Sequence, residues 1–213
     1  GSIFMAKDQN KDQSYFLSFI KPEVLDKVMF PIGDYTKPEV RKLAKKFGLP
    51  NAERKDSQGI CFVGKVDFVD FLKEYIPVRQ GNIVDTQGNI LGQHEGAVYY
   101  TIGQRKGLGL AGGPYFVVDK DIKKNTVTVS KNEDHLLQKE VRLKNLNWFV
   151  EPKQDLVHAR IRYRQKPAAG TFRIGKSVTA GKLIFDSPQR AITSGQMAVL
   201  YQGDQMIAGG VIE

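Results

Sequence analysis

The run Met197-Ala-Val-Leu-Tyr-Gln-Gly-Asp-Gln-Met-Ile-Ala-Gly-Gly-Val-Ile212 places two apolar segments on either side of a polar turn. These segments are candidate strands. From about Glu140 the same texture recurs, and the full set of candidate strands is Val141–Leu146, His158–Tyr163, Thr171–Ile174, Ser177–Ala180, Lys182–Phe185, Met197–Tyr201 and Met206–Ile212. Short strands at regular spacing, separated by Gly, Asn and Pro turns, predict a small antiparallel barrel at the carboxy-terminal end.

Upstream of the barrel, helical patterns come first. Thr36 followed by Glu39 three residues later is a capping box, and the helix it starts should stop at Gly48. A short buried helix is predicted from Ser14 to Ile20, a second short helix from Pro22, and another over Val66–Tyr75.

A strand-rich stretch follows these helices. Ile83–Val84 and Ile90–Leu91 predict a β-hairpin with a glycine-containing loop, and Tyr115–Asp119 and Thr126–Ser130 predict two more strands. Helices early and strands late indicate an α+β fold that is mainly β. We predict three parts: a helical segment (3–76), a central β-rich domain (77–139) and the barrel (140–213).

The charge balance suits a polyanionic partner. In 213 residues, 32 Lys and Arg stand against 23 Asp and Glu, giving a net charge of +9. Such an excess favours nucleic acid, because Lys and Arg contacts to phosphate release counterions; a merely solvated basic surface explains the charge equally well. No apolar run reaches the roughly 18 residues of a membrane span. A single cysteine excludes an internal disulfide framework and predicts the cytoplasm.

Several catalytic motifs are missing from the sequence. There is no Gly-x-x-x-x-Gly-Lys-Ser/Thr loop, and no Gly-x-Gly-x-x-Gly opens a βαβ unit. The three histidines, His94, His135 and His158, are scattered, so no metal site is expected.

Two cationic stretches remain. If residues 160–166 form a strand, Arg160, Arg162, Arg164 and Lys166 share one face, which is either a phosphate-binding face or a solvated one. The glycine-rich loop 103–113 could bring Arg105 and Lys106 to a phosphate.

The only cysteine lies in Asp56-Ser-Gln-Gly-Ile-Cys-Phe-Val-Gly64. A lone cysteine commonly packs as a small buried hydrophobe. A glycine-rich loop near Arg54 and Lys55 could instead expose Cys61 and favour its reactive thiolate. The residues alone leave both interpretations open.

Several segments in fixed order carry a family resemblance: Lys11-Asp-Gln-Ser-Tyr-Phe-Leu17, Asp56-Ser-Gln-Gly-Ile-Cys-Phe62, Gly92-Gln-His-x-Gly96, Tyr100-Thr-Ile-Gly-Gln-Arg-Lys-Gly-Leu-Gly109, Arg162-Tyr-Arg-Gln165 and Gly195-Gln-x-Ala-Val199. Together they resemble the carboxy-terminal two-thirds of the tRNA-specific 2-thiouridylases. The resemblance implies a central β-rich domain and a barrel similar to those of translation factors. The family's amino-terminal PP-loop domain, which binds ATP, has no counterpart here, so no cofactor is expected in this chain.

The resemblance also implies an activity and site residues. In the family, ATP activates C2 of the wobble uridine and a cysteine persulfide, loaded by a sulfur-donor protein, delivers sulfur. Cys61 matches the persulfide-bearing catalytic cysteine. The residues that match tRNA contacts are Lys11, Asp12, Gln13, Arg162, Tyr163 and Gln196.

Three functions follow as expectations. The first is a sulfurtransferase part that is inactive without the ATP domain. The second is an RNA-binding module in which Cys61 is structural. The third is a protein-interaction barrel whose basic surface meets an acidic partner.

Overall fold

The computed structural model describes residues 1–54 and 68–213. Their contacts group into two units. One contains residues 1–54, 139–188 and 193–213; the other contains the described residues from 68 to 138 together with 189–192. The division into three parts stays a prediction; by contacts, the amino-terminal segment up to residue 54 groups with the barrel strands. Among the described helices, none is long and apolar enough to cross a bilayer.

The carboxy-terminal strands close into a six-stranded barrel, as predicted. The strands are β5 (Leu137–Trp148), β6 (Leu156–Arg160), β7 (Ala168–Ile174), β8 (Ala180–Arg190), β9 (Met197–Gln202) and β10 (Gln205–Ile212). Their order around the barrel is β10-β5-β8-β7-β6-β9. The separate strand predicted at Ser177–Ala180 is wrong, since the Ser177 hydroxyl accepts the Thr179 N–H in a turn that leads into β8.

The amino-terminal segment is built onto this barrel. Its elements are two 3-10 helices, Ser14–Leu17 and Pro22–Lys27, and the helix α1 (Lys37–Lys46). Buried Ile3, Tyr15 and Leu25 form one core cluster with Val199, Tyr201 and Met206 of β9 and β10. Burial of apolar side chains against the barrel is therefore what holds the segment in place.

The predicted capping box of α1 is confirmed. The Glu39 carboxylate accepts hydrogen bonds from the Thr36 N–H (2.6 Å) and the Thr36 hydroxyl (2.8 Å). These bonds are the largest causes that lower the pKa of Glu39 to about 2. The helix ends before Gly48, which has a φ of +67° suited to glycine.

The second unit is a four-stranded sheet with order β2-β1-β4-β3. Its elements are α2 (Phe68–Lys73), β1 (Gly81–Val84), β2 (Ile90–His94), a 3-10 helix at Ala97–Tyr99, β3 (Phe116–Asp121), β4 (Thr126–Ser130) and a 3-10 helix at Glu133–Leu136. The predicted hairpin of β1 and β2 is confirmed, and β1 also pairs in parallel with β4. Ile83, Val117 and Val127 are fully buried and form the centre of its core.

His94 is buried at the end of β2. Its Nδ1 accepts the Gly96 N–H at 2.9 Å, so the ring is neutral. Burial is the largest cause that lowers the pKa of His94, and the backbone of Asn125 and Asn82 acts in the opposite direction. The ring lies against Tyr100, with centroids 5.3 Å apart.

Lowering the pH should destabilise this sheet. The unfolded chain binds a proton at His94 as the pH falls below about 6.5, whereas the folded chain resists it. Stability is therefore present above pH 6.5 and is lost as the pH falls toward the lowered folded pKa. Thermal unfolding midpoints measured from pH 8 to 5.5 should fall in wild type and fall less in His94→Gln. His158→Gln, on the exposed face of β6, should behave as wild type. An unchanged pH dependence in His94→Gln would contradict this prediction.

Candidate nucleic-acid interface

Gln13 and Tyr163 form one surface although 150 residues separate them. Gln13 Nε2 donates a hydrogen bond to the Tyr163 hydroxyl at 2.7 Å. The Tyr163 ring also lies against Phe16, with centroids 4.6 Å apart. Gln13 and Phe16 are exposed and Tyr163 is half-buried. The fold thus joins the beginning of the chain to the turn after β6.

Local structure explains this placement. Gln13 is the residue before the first 3-10 helix, and its carbonyl accepts the Phe16 N–H at 3.0 Å. The bend at the start of this helix brings the side chains of Gln13 and Phe16 out on the same side of the chain. Tyr163 lies in a turn closed by the Gln165 N–H donating to the Arg162 carbonyl at 3.2 Å.

Met197, the residue after Gln196, is linked to the same surface through Tyr15. The Tyr15 hydroxyl donates to the Met197 carbonyl at 3.0 Å, and the Tyr15 ring centroid lies 6.4 Å from that of Tyr163. Gln196 itself precedes β9, where its carbonyl accepts the Ile212 N–H at 2.8 Å. The structure therefore brings the candidate residues from three distant parts of the sequence into one region of the first unit.

Cations surround this region. Lys11 and Arg164 are exposed, and the Arg164 guanidinium lies 5.3 Å from the centre of the Tyr163 ring. Burial raises the pKa of Tyr15, and the positive charge of half-buried Arg162 acts in the opposite direction. Positive charge beside accessible aromatic rings is a combination that proteins use to bind single-stranded nucleic acid.

The predicted cationic strand face is wrong. Strand β6 ends at Arg160, and the chain then turns, with Arg164 at a φ of +65°. Arg160 is 2% exposed and points into the protein. The four cations therefore do not share one strand face, because a turn replaces the strand after Arg160 and a buried carboxylate binds Arg160.

Asp12 is that carboxylate. It is 2% exposed, and its Oδ2 accepts hydrogen bonds from Arg160 Nη1 and from the Ser14 hydroxyl. Its Oδ1 accepts the backbone N–H groups of Ala6 (3.2 Å) and Ser14 (3.0 Å). The carboxylate that the sequence placed among the tRNA contacts is thus occupied by protein donors, and it holds the loop between Ala6 and Ser14 on the barrel.

The other contacts of Arg160 complete this buried network. Its Nη2 donates to Gln9 Oε1 at 2.8 Å, and its guanidinium lies 5.4 Å from the centre of the Tyr201 ring. The Tyr201 hydroxyl lies 3.0 Å from the Ser14 hydroxyl. Burial is the main cause that raises the pKa of Tyr201, so the phenol stays neutral.

Sequence reasoning missed Phe16, which it assigned to a buried helix. Its neighbour Tyr15 is buried, whereas Phe16 is 54% exposed. The sequence signal for an exposed Phe16 was the polar segment directly before these aromatic residues. A helix that follows such a segment can be covered by the protein on only part of its surface. Cys61 lies outside the described residues, so its placement carries no part of this site.

The described residues contain no group of three metal-ligating side chains. The side chains around Gln13 and Tyr163 form a surface built from amides, rings and cations.

Three family models match consecutive segments of the chain. Residues 1–65 match the tRNA methyl transferase HUP domain, residues 69–131 the tRNA methyl transferase PRC-barrel domain, and residues 138–212 the aminomethyltransferase beta-barrel domain. The first boundary falls outside the described residues, and the last segment corresponds to the closed barrel.

Curated relatives match over almost the whole chain. The tRNA-specific 2-thiouridylase MnmA of Levilactobacillus brevis is 45% identical over 222 residues, covering 99% of this chain and 59% of the relative. The protein of the same name from Neisseria meningitidis is 45% identical over 212 residues (97% and 58%), and that from Pseudomonas aeruginosa 42% over 217 residues (97% and 57%). The chain therefore spans less than two-thirds of the length of these relatives.

Removing the Asp12 carboxylate should be costly. Asp12→Ala leaves Arg160 buried without its counter-charge, and breaking a buried pair in this way costs about 3–5 kcal/mol of unfolding free energy. Denaturant unfolding followed by circular dichroism measures the change.

A control with an exposed ion pair tests the reason. Glu140 pairs with Lys182 on the outside of the barrel, with 59% of the Glu140 side chain exposed. Glu140→Ala should change stability by less than about 1 kcal/mol. The double variant Asp12→Leu/Arg160→Met should regain much of the loss, because no charge is then buried alone. Equal effects of Asp12→Ala and Glu140→Ala would show that the buried pair has no special weight.

Proposed function

Because the chain belongs to the tRNA-specific 2-thiouridylase family, we propose that it forms the tRNA-binding and sulfur-carrying part of an enzyme that makes 2-thiouridine at the wobble position. The substrate is tRNA, and the sulfur comes from a persulfide on Cys61. We assign the compartment to the cytoplasm, since a reactive thiol needs reducing surroundings.

The observation that supports tRNA binding is the hydrogen bond between Gln13 and Tyr163. It joins two segments, Lys11–Gln13 and Arg162–Tyr163, that match tRNA contacts in the family. Residues selected for separate reasons would have no cause to meet across 150 positions. Their meeting on an exposed, cationic surface supports one shared ligand.

The side chains divide into two tasks. Lys11, Arg162 and Arg164 supply positive charge for phosphates, which position an RNA without reading its sequence. Tyr163 and Phe16 offer ring faces on which an unpaired base can stack. Asp12 acts differently: its carboxylate, held by Arg160, positions the loop that presents Lys11 and Gln13.

The sulfur step is proposed to run through Cys61. Once the oxygen on uridine C2 has been made a leaving group, the terminal persulfide sulfur attacks C2, the C2–S bond forms and the C2–O bond breaks. A second thiolate, which we assign to a cysteine in the amino-terminal PP-loop domain of the relatives, then attacks the Cys61 sulfur, which breaks the persulfide S–S bond, releases thiouridine and leaves a protein disulfide. ATP supplies the activation of the oxygen in the family, and we assign its site to the amino-terminal PP-loop domain of the relatives.

Arg162→Ala should weaken tRNA binding. Loss of one charge-assisted phosphate contact should reduce affinity about tenfold and lower the slope of log affinity against log salt by about 1. Fluorescence anisotropy with labelled tRNA at several salt concentrations measures both quantities. Gln13→Ala and Tyr163→Ala should also weaken binding, with a smaller change of slope because neither removes a charge.

Arg142→Ala is the matched control. Arg142 is exposed on β5, which lies three strands from β6 in either direction around the six-stranded barrel. It removes the same charge and should leave affinity close to wild type. If Arg142→Ala and Arg162→Ala weaken binding equally, only net charge matters and the surface has no role. Binding that is absent or insensitive to salt would favour an acidic protein partner.

Cys61→Ser should abolish thiolation in the full-length protein while leaving tRNA affinity unchanged. Digested tRNA, after reaction with ATP and a sulfur source, is assayed for 2-thiouridine by mass spectrometry. Full activity of the variant would make Cys61 structural and leave an RNA-binding module. The chain of 213 residues alone should form no 2-thiouridine, and its formation would contradict the assignment of ATP binding.

A further inference from the structure

The loop of residues 105–115 in the second unit has the backbone pattern of an anion site. Gly107, Gly109 and Gly112 have φ of +77°, +65° and +72°, whereas the residues between them do not have positive φ. Left-handed residues beside residues of negative φ are the arrangement in which neighbouring N–H groups turn toward the same side and form a concave cradle for anions. Only glycine adopts these angles at little cost.

Two leucine side chains and the Gln104 side chain anchor this glycine-rich loop of residues 105–115. Leu108 is buried and Leu110 is partly buried, both in the core that contains Ile83 and Val117. The Gln104 side chain accepts the Thr101 N–H at 3.0 Å and donates to the Lys106 carbonyl at 3.0 Å. These contacts hold the backbone of the loop on the side that faces the core. The N–H groups on its other side therefore need no partner within the protein.

The donors of the loop are available. Among the described residues, no protein acceptor receives a backbone N–H from positions 105–113 or 115. A cavity of about 480 Å³ lies over them and is lined by Arg105, Gly107–Leu110, Gly113, Pro114 and Tyr115, with no carboxylate in this lining. Backbone donors facing an open cavity are free to bind an anionic ligand instead of water.

The surrounding side chains add positive charge. Arg105 and Lys106 are exposed, and Lys131 Nζ lies 5.1 Å from the centre of the Tyr115 ring. A cradle of N–H groups with adjacent cations and one aromatic ring is suited to a phosphate group rather than to a carboxylate-bearing peptide, because several donors can converge on its oxygens.

We propose that the glycine-rich loop of the second unit is a phosphate-binding site. The phosphate belongs either to the tRNA backbone, which rests on the proposed function, or to a free polyphosphate. Both share the chemistry that the loop recognises, and two assays distinguish them.

The first assay measures affinity for labelled tRNA. Arg105→Ala/Lys106→Ala should weaken binding about tenfold and lower the salt slope by about 1 to 2. Lys123→Ala/Lys124→Ala removes the same charge from the exposed turn between β3 and β4 and should bind as wild type. Gly109→Ala should weaken binding with no change in net charge, because alanine disfavours the left-handed backbone.

Gly88→Ala is the control for the glycine variant. Gly88 has a φ of +90° in the β1–β2 hairpin, and a Cβ at either glycine would have no atom within 4 Å. Both variants carry a similar backbone cost without a clash. Only Gly109→Ala should affect phosphate binding, and thermal unfolding midpoints confirm that both are folded.

The second assay follows the amide NMR signals of residues 106–110 during titration with inorganic pyrophosphate. Shifts in wild type and Gly88→Ala that are absent in Gly109→Ala, combined with unchanged tRNA affinity of the loop variants, assign the site to a free polyphosphate. Unchanged tRNA affinity without pyrophosphate shifts overturns the proposal. If Arg162→Ala weakens tRNA binding in that case, the proposed function stands; if wild type binds no tRNA, the proposed function fails and the pyrophosphate titration alone decides the loop.

Discussion

The buried pair of Asp12 and Arg160 is the interaction on which the first unit depends. Neither group could be buried alone, because an uncompensated charge in the interior costs several kcal/mol. Each therefore requires the other, and one lies near the beginning of the chain while the other ends β6. The apolar cluster of Ile3, Tyr15 and Leu25 supplies the adhesion to the barrel, but it is non-directional. The ion pair determines which residues of the amino-terminal segment lie against which residues of the barrel.

The position of the surface around Gln13 and Tyr163 follows from this placement of the amino-terminal segment on the barrel. With Asp12 held by Arg160 and by two backbone N–H groups, Gln13 can only lie beside the turn after β6, where it meets Tyr163. The burial of Arg160 also decides which charges face solvent. Asp12 balances the charge of Arg160 in the interior, whereas Lys11 and Arg164 are exposed. Asp12, whose segment matches a tRNA contact of the family, is thus a buried partner of Arg160 that positions the loop carrying Lys11 and Gln13. The glycine-rich loop of the second unit obeys a different constraint, since its shape comes from left-handed glycines and two leucine anchors.

Local patterns predicted the elements well, and for identifiable reasons. The capping box at Thr36 and Glu39 involves atoms three residues apart, so its geometry is contained in the sequence. The hairpin of β1 and β2 and the strands β9 and β10 depend on alternation and on turns of two to five residues. The barrel could be anticipated because so many short strands must close to satisfy their edges.

The sequence by itself determined the strand content, the helix cap, the positive charge and the ordered motifs that indicate the family. Only the tertiary structure decided that Arg160 is buried, that Asp12 is its partner and that Gln13 reaches Tyr163. Alternation states which side chains share a face while the strand lasts; it contains no information on where the strand stops or on what covers it. Those outcomes depend on residues about 150 positions away, whose approach is set by the packing of the whole unit.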